Sequence, residues 1–210
     1  AIVGSLAPEA GPEGRRTRPA EAGTRSMIRK AGWFRWGLIP HWAQDEQIGY
    51  KLINARSETV AEKPAFRDAF RRRRCLIPAD GFYEWKKEGT RKQPYRIHTG
   101  SLFAFAGLWE KWQPAGEERV VYSCTILTTQ ANGRVAPIHD RMPVILHPSD
   151  YDRWLDPHSP PDQLRALLVP YPEESMEAYP VSDAVNRPAN EGPHLIRPVA
   201  PIRRTEVDDG

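Results

Sequence analysis

The sequence predicts an α+β fold: a single compact domain in which a strongly bent antiparallel sheet, or open β-barrel-like core, carries a few peripheral helices. Two observations predict it. Short apolar runs rich in β-branched and aromatic residues recur along the chain, and glycines and prolines separate them. Segments with a proline start or helical apolar spacing are few and short. Many short strands with few helices favour a sheet that partly closes on itself.

Each element follows from a local pattern. Strands are predicted where apolar or alternating runs end at turn residues, at 33–39, 75–79, 82–85, around Tyr95 and Ile97, and at 102–109, 120–129 and 142–146. Helices are predicted at 64–74, 148–155 and 161–168, each near a proline suited to a first turn. Residues 86–92, with Gly89, predict a hairpin loop.

The two ends of the chain lack such periodicity. A short apolar start precedes a Gly-, Pro-, Ala- and Arg-rich stretch, so we predict a mobile loop over residues 4–32 within an N-terminal region that spans residues 1–32. The segment from Tyr179, rich in Pro and Asn, is expected to wrap the surface.

Composition excludes several classes of function. With 40% hydrophobic and 27% charged residues, the chain of 210 residues is typical of a globular protein. No apolar run reaches the roughly 20 residues that span a bilayer, so we expect a cytoplasmic protein without a membrane partner. The two cysteines have no zinc-ligand spacing, and we expect neither metal nor cofactor. The net charge of +3 permits a polyanionic partner.

Three polar residues interrupt apolar or tightly turned segments, where function often breaks local rules. Asn54 follows a strand-like run and could be a turn or cap residue; Arg56 would share its face if the strand continued. Glu84 stands between two aromatics that could raise its pKa, or it is an ordinary outward strand residue. His139 lies between two prolines, and Asp140 could orient its ring or pair with Arg141.

Two further patterns leave alternatives open. Either Cys75 or Cys124 could pair with His139 in a thiol peptidase, but both lie in apolar runs that favour inert buried thiols. Tryptophans and arginines occur close together, as in a groove for single-stranded nucleic acid, or as core residues with a basic rim. The members of this set are Trp36, Trp42, Trp85, Arg35, Arg56 and Arg141.

A series of ordered motifs resembles the SOS response-associated peptidase (SRAP) family. They are WGLIPHW at 36–42, NARSET at 54–59, RCLIPADGFYEW at 74–85, FAGLW at 105–109, TILTT at 125–129 and IHDRMP at 138–143. The resemblance covers residues 33–200, followed by a tail at 201–210. It implies a β-barrel-like core with a positively charged cleft, and a monomer that attaches covalently to abasic sites in single-stranded DNA, associated with the nucleoid through that DNA.

The resemblance also implies roles for particular residues. Asn54 would position the nucleophile or the sugar, Glu84 would shuttle protons, and His139 would assist opening of the sugar ring. The residues that match DNA-contacting positions are Arg56 and Arg141 for phosphates, and Trp42, Tyr50 and Trp85 for stacking on or wedging between bases.

In one respect the sequence departs from the family. The nucleophile that the resemblance implies is a cysteine directly after the initiator methionine, whose α-amine and thiol together close a thiazolidine ring on the sugar aldehyde. No cysteine precedes Cys75, and the Met-Cys-Gly-Arg start has no counterpart. We therefore expect the family's opening segment to be missing here and this chain to bind DNA without crosslinking. The alternatives are a non-covalent single-strand-binding module and a thiol peptidase or hydrolase that uses an internal cysteine.

Overall fold

The computed structural model describes residues 1–6 and 27–200, and within these ranges twelve strands form two sheets. The strands are β1 (Ile2–Leu6), β2 (Met27–Ala31), β3 (Arg35–Trp36), β4 (Asn54–Arg56), β5 (Arg74–Ala79), β6 (Phe82–Glu88), β7 (Arg91–His98), β8 (Phe103–Trp112), β9 (Val121–Gln130), β10 (Arg141–Pro143), β11 (Ile145–Leu146) and β12 (Glu177–Pro180). Nine of them form a mixed sheet bent into a half-barrel, and β6, β7 and β12 form the second sheet. The predicted α+β class is confirmed.

The main path of the large sheet runs β10-β9-β8-β5-β1-β2, with antiparallel neighbours throughout. Its centre consists of β5, β8 and β9, which correspond to the strands predicted at 75–79, 102–109 and 120–129. The N-terminal loop prediction differs from the structure at both ends, because β1 extends through Leu6 and β2 pairs with it. The rest of that predicted loop, residues 7–26, and the tail at 201–210 lie outside the described residues.

Two short strands extend the other edge of β9. Both β3 and β4 run parallel to β9, a pairing that the sequence did not predict. The strand predicted at 33–39 is limited to two residues because the chain turns at Gly37, where φ is 113°. A Cβ atom there would lie 2.6 Å from the carbonyl oxygen of Gly49, so this close approach requires glycine.

β8 and β9 diverge, and residues 141–146 fill the gap between them. The two strands pair directly only as far as Gly107 opposite Ile126. Beyond that point β10 pairs with β9, and β11 pairs with β8. Between them, Val144 bridges both strands: its N–H donates to a β9 carbonyl and its carbonyl accepts from a β8 N–H, each at 2.8 Å. The single strand predicted at 142–146 is therefore two strands with different partners.

The small sheet has the order β12-β7-β6, which leaves β6 at its edge. The hairpin loop predicted at 86–92 is shorter than expected, because both strands continue into it and Glu88 pairs opposite Arg91. Gly89, with φ of 63°, forms the tight turn. Some of the segment from Tyr179 belongs to β12, which pairs with β7 instead of only lying on the surface.

The predicted helices are confirmed in shorter form, as α1 (Arg67–Arg72), α2 (Tyr151–Leu155) and α3 (Pro161–Ala166). One apolar cluster packs them against the large sheet, and a second packs the two sheets together. At the junction of α1 and α2, buried Arg74 donates to the carbonyls of Phe70, Arg71 and Trp154 at 2.6–2.7 Å. Desolvation by burial lowers the pKa of Arg74 to about 10, while Asp156 opposes the shift.

Candidate functional site

A cavity of about 600 Å³ opens where the edge strand β6 meets β4, β9 and β10 of the large sheet. Six of the eight predicted site residues line it, namely Asn54, Arg56, Glu84, Trp85, His139 and Arg141. Most of the remaining wall is apolar or aromatic, from Trp36, Phe82, Tyr83, Phe105, Ile126, Met142 and Pro143. A mainly apolar cleft with a few convergent polar groups is typical of a ligand site.

The first wall of this pocket comes from β4. Ala55 is buried, while Asn54 and Arg56 on either side of it are exposed and point into the pocket, as expected for alternate residues of a strand. Asn54 is the first residue of the strand, paired opposite Ile126, and not a turn residue. Neither the Asn54 amide nor the Arg56 guanidinium bonds to another residue in the described ranges, so both remain available to a ligand.

The opposite wall comes from β6, which carries Glu84 and Trp85. Burial raises the pKa of Glu84, and the charge of Asp140 raises it further. The nearby charge of His139 and a hydrogen bond with the Trp85 backbone lower this pKa, but each by less than burial raises it. A carboxyl group that keeps its proton to higher pH is better suited both to give and to take a proton during a reaction. The indole of Trp85 is held in place because its Nε1–H donates to Oδ1 of Asn186 at 2.8 Å.

His139 lies two residues before β10, with 43% of its side chain exposed. Its Nδ1 accepts the backbone N–H of Arg141 at 3.0 Å, which places the proton of the neutral ring on Nε2. When the ring is protonated, Nδ1 faces the carboxylate of Asp140 at 3.2 Å. Asp140 therefore contacts the imidazole. This agrees with one of the two interpretations of the sequence, in which Asp140 orients the ring of His139.

Arg141 forms its ion pair with Glu58 and not with Asp140. Its Nη1 and Nη2 donate to the two Glu58 carboxylate oxygens at 2.9 and 3.0 Å, and Nη2 also donates to the Thr128 carbonyl at 2.6 Å. The hydrogen bond from Arg141 lowers the pKa of Glu58. The guanidinium thus reaches the pocket with much of its charge already compensated, in contrast to Arg56.

Trp42 and Tyr50 do not reach this pocket. They line a separate cavity of about 620 Å³ beside the 3₁₀ helix Glu46–Lys51, and both side chains are exposed. The guanidinium carbon of Arg35 lies 5.1 Å from the centroid of the Tyr50 ring, a cation–π contact. Their predicted role in base stacking stays a prediction.

Both cysteines are poor candidates for a nucleophile. Cys75 and Cys124 are buried free thiols. Burial raises the pKa of both, that of Cys75 well above its ordinary value, so the reactive thiolate is disfavoured. His139 bonds to its own neighbours and to neither thiol. This arrangement does not support the thiol peptidase alternative.

Sequence reasoning missed three contributors to the site, which are Glu58, Thr128 and Asn186. Glu58 lies within the NARSET motif and Thr128 within TILTT, so both could have been examined as partners of an arginine. Asn186 comes from the Pro- and Asn-rich C-terminal segment, where no local pattern distinguishes it. Among the described residues, no cluster of three or more His, Cys, Asp or Glu could hold a metal ion, and no helix is long and apolar enough to cross a membrane.

The fold and the pocket together define a class of small α+β domain, in which a half-barrel and a three-stranded sheet enclose an Asn–Glu–His site. The model of one family, described as SOS response associated peptidase (SRAP), matches residues 14–188. The chain belongs to this family. The resemblance inferred from the ordered motifs is thereby confirmed.

Relatives and a solved structure agree with this assignment. The abasic site processing protein YoqW of Bacillus subtilis is 53% identical over 171 residues, which cover 80% of this chain and 76% of YoqW. The abasic site processing protein HMCES of Xenopus tropicalis is 34% identical over 195 residues, covering 81% of this chain and 58% of HMCES. A crystal structure of a Bacteroides thetaiotaomicron protein has a TM-score of 0.75 at 32% identity, covering 80% of this chain and 76% of that one.

Proposed function

We propose that this protein processes abasic sites in single-stranded DNA, acting as a cytoplasmic monomer that becomes covalently linked to the lesion. The observation that carries the proposal is the convergence of Asn54, Glu84 and His139 on one pocket from three separate segments of the chain. The names of the relatives, which are abasic site processing proteins, support the same substrate.

The chemistry acts on the aldehyde of the ring-opened abasic sugar. The α-amine of a cysteine adds to this aldehyde and loses water to form an imine, and the thiol of the same residue then adds across the C=N bond to close a thiazolidine. The protonated ring of His139 donates its Nε2 proton to the sugar ring oxygen as the bond from that oxygen to the anomeric carbon breaks. The anomeric hydroxyl gives its proton to water, which leaves the aldehyde and a neutral imidazole. Glu84, with its raised pKa, takes the amine proton and returns it to the leaving water. Asn54 hydrogen-bonds the sugar or the attacking residue.

The cysteine needs a free amine and a free thiol on the same residue. Cys75 and Cys124 have neither, because their amines are in peptide bonds and their thiols are buried. The nucleophile of this reaction is therefore an N-terminal cysteine, and neither Cys75 nor Cys124 serves as one. The associated peptidase activity is the removal of the methionine that precedes this cysteine, with Glu84 again moving the proton.

The DNA strand is held by the residues around the pocket. Arg56 contacts a phosphate. Arg141 contributes less positive charge to the DNA, because its guanidinium is already paired with the Glu58 carboxylate. The indole of Trp85 contacts the bases beside the lesion, and Trp42 and Tyr50 stack on bases farther along the strand. Base–aromatic stacking contributes about 1–3 kcal/mol per base, so three such residues are enough to bind single-stranded DNA without reading its sequence.

A denaturing gel with an abasic single-stranded oligonucleotide tests the proposal. The protein that carries the N-terminal cysteine should form a heat-stable adduct, whereas the 210-residue chain should give only a salt-sensitive mobility shift. Glu84→Gln should slow adduct formation while DNA binding is kept, and Glu88→Gln on the same strand serves as the matched control. Adduct formation by the 210-residue chain would refute the N-terminal cysteine, and equal loss of binding and adduct in Glu84→Gln would make that residue structural.

A further inference from the structure

A second cavity, of about 420 Å³, adjoins the pocket. It shares Glu84, Trp85 and His139 with the first cavity and adds Lys92 and Asn186. Glu84 and His139 therefore lie where two cavities meet, and not at the closed end of one. A single-stranded DNA whose abasic site lies at Glu84 and His139 has room to continue in both directions, one through each cavity.

Lys92 lines the second cavity and has no ion-pair partner among the described residues. Lys92 on β7 lies directly opposite Lys87 on β6. Like charges directly opposite each other in an antiparallel pair are destabilising. In the described ranges of the chain, neither lysine has an ion pair or side-chain hydrogen bond that would relieve this repulsion. Two exposed lysines that face each other without a carboxylate partner leave positive charge available to an anionic ligand in the adjoining cavity.

The cavity also has a fixed aromatic wall. In the register of the two strands, Trp85 and Lys87 share one face of β6, and Lys92 lies on the same face of β7. The 3₁₀ helix Asp183–Asn186 reaches this face, where Asn186 accepts the Trp85 indole N–H at 2.8 Å. A held indole beside a free ammonium group matches the two chemical components of a nucleotide, a base with a flat face and a phosphate with a negative charge.

We propose that this second cavity binds the nucleotide next to the lesion in single-stranded DNA, with Lys92 holding its phosphate. The inference rests on the proposed function and extends it. Arg56 then holds the backbone on one side of the lesion and Lys92 holds it on the other. Contacts to the phosphates on both sides of the lesion hold the abasic sugar between Glu84 and His139. These contacts are needed because the abasic nucleotide has no base that could stack on an aromatic ring.

Fluorescence anisotropy with the 210-residue chain tests this subsite. The probes are three single-stranded oligonucleotides with an unreactive tetrahydrofuran abasic analogue, one extended on both sides of it and two that end at it, on the 5′ or the 3′ side. Lys92→Gln should reduce the slope of log K against log salt by about 0.7, the value for one phosphate contact on single strands. The reduction should occur with the doubly extended probe and with only one truncated probe. Lys92→Arg should restore the slope.

Lys111→Gln, an exposed lysine on β8 without an ion pair in the described ranges, is the control for general loss of charge and should leave all three slopes unchanged. Equal slopes for Lys92→Gln and the parent on every probe, or equal reductions on both truncated probes, would overturn the subsite alone. If the parent itself fails to bind the doubly extended probe, the proposed function fails together with the subsite.

Discussion

Arg56 and Arg141 both line the pocket, but the structure gives them different surroundings, and replacing each by glutamine should separate their roles. The side chain of Arg141 is 18% exposed and holds Glu58 and the Thr128 carbonyl, whereas Arg56 has no partner in the described ranges. Glu58 is 46% exposed, so solvent screening reduces the value of the ion pair. Its loss together with that of the carbonyl contact costs about 1–2 kcal/mol.

For a chain of this length, about 1 kcal/mol corresponds to roughly 2–4 °C in Tm. Arg141→Gln should therefore lower Tm by about 2–8 °C, and Arg56→Gln, a surface change, should shift stability by no more than about 0.5 kcal/mol. In anisotropy titrations Arg56→Gln should lose about 0.7 from the salt slope on single-stranded DNA. Arg134→Gln, an exposed arginine outside the pocket, is the matched control.

The pH dependence provides an independent check. Because Arg141 lowers the pKa of Glu58 below 4.5, the stability that the pair contributes is complete above that pH and is lost as pH falls through the lowered value. The Tm difference between the parent and Arg141→Gln should shrink correspondingly in acid. Equal melting of Arg56→Gln and Arg141→Gln at neutral pH, or a difference that grows in acid, would refute this account of the pocket.

Three other changes give further expectations. Burial raises the pKa of Glu84 above 4.5, so ionisation of this carboxyl group lowers the stability of the fold as pH rises through the raised value. Glu84→Gln should therefore have a higher Tm than the parent at pH 7, measured by circular dichroism. This difference in Tm should vanish below about pH 4. Arg74→Met should lower the free energy of unfolding by about 3 kcal/mol in urea titrations, since buried carbonyls lose their donor. Asn186→Ala, which frees the Trp85 indole, should increase the mobility of that ring, seen as lower steady-state anisotropy or broadened indole NMR signals, with little change in Tm.

The central strands could be predicted from sequence because their side chains decide their conformation. Apolar and β-branched runs produce β5, β8 and β9, which are largely buried. In contrast, β2 contains Arg29 and Lys30, and its strand conformation comes from backbone pairing with β1 across residues distant in sequence. The same holds for β10 and β11, where one predicted strand divides because two diverging strands each need a partner.

The site shows a similar limit. Local patterns made Asn54, Glu84 and His139 unusual, but each had an ordinary explanation, and only the resemblance to a family joined them. The pairing of Arg141 with Glu58 spans 83 residues and depends on how β10 meets β9. Trp42 and Tyr50 lie in a separate cavity, and the close approach of Gly37 to Gly49 beside Tyr50 is a contact that no periodicity in the sequence predicts.

The two walls of the pocket, β4 and β6, belong to different sheets, so the width of the pocket depends on how the two sheets pack together. No ladder of backbone hydrogen bonds joins β6 to the large sheet among the described strands, so the walls keep their spacing through apolar packing. Phe105 is the central contact, with edge-to-face rings at 5.9 Å to Phe82 and 5.1 Å to Phe103. The width of the pocket opening is thus set by the packing of these aromatic side chains between the two sheets. A substitution at Phe103, which packs on Phe105 but does not line the pocket, can therefore change the width of the opening and with it the range of substrates.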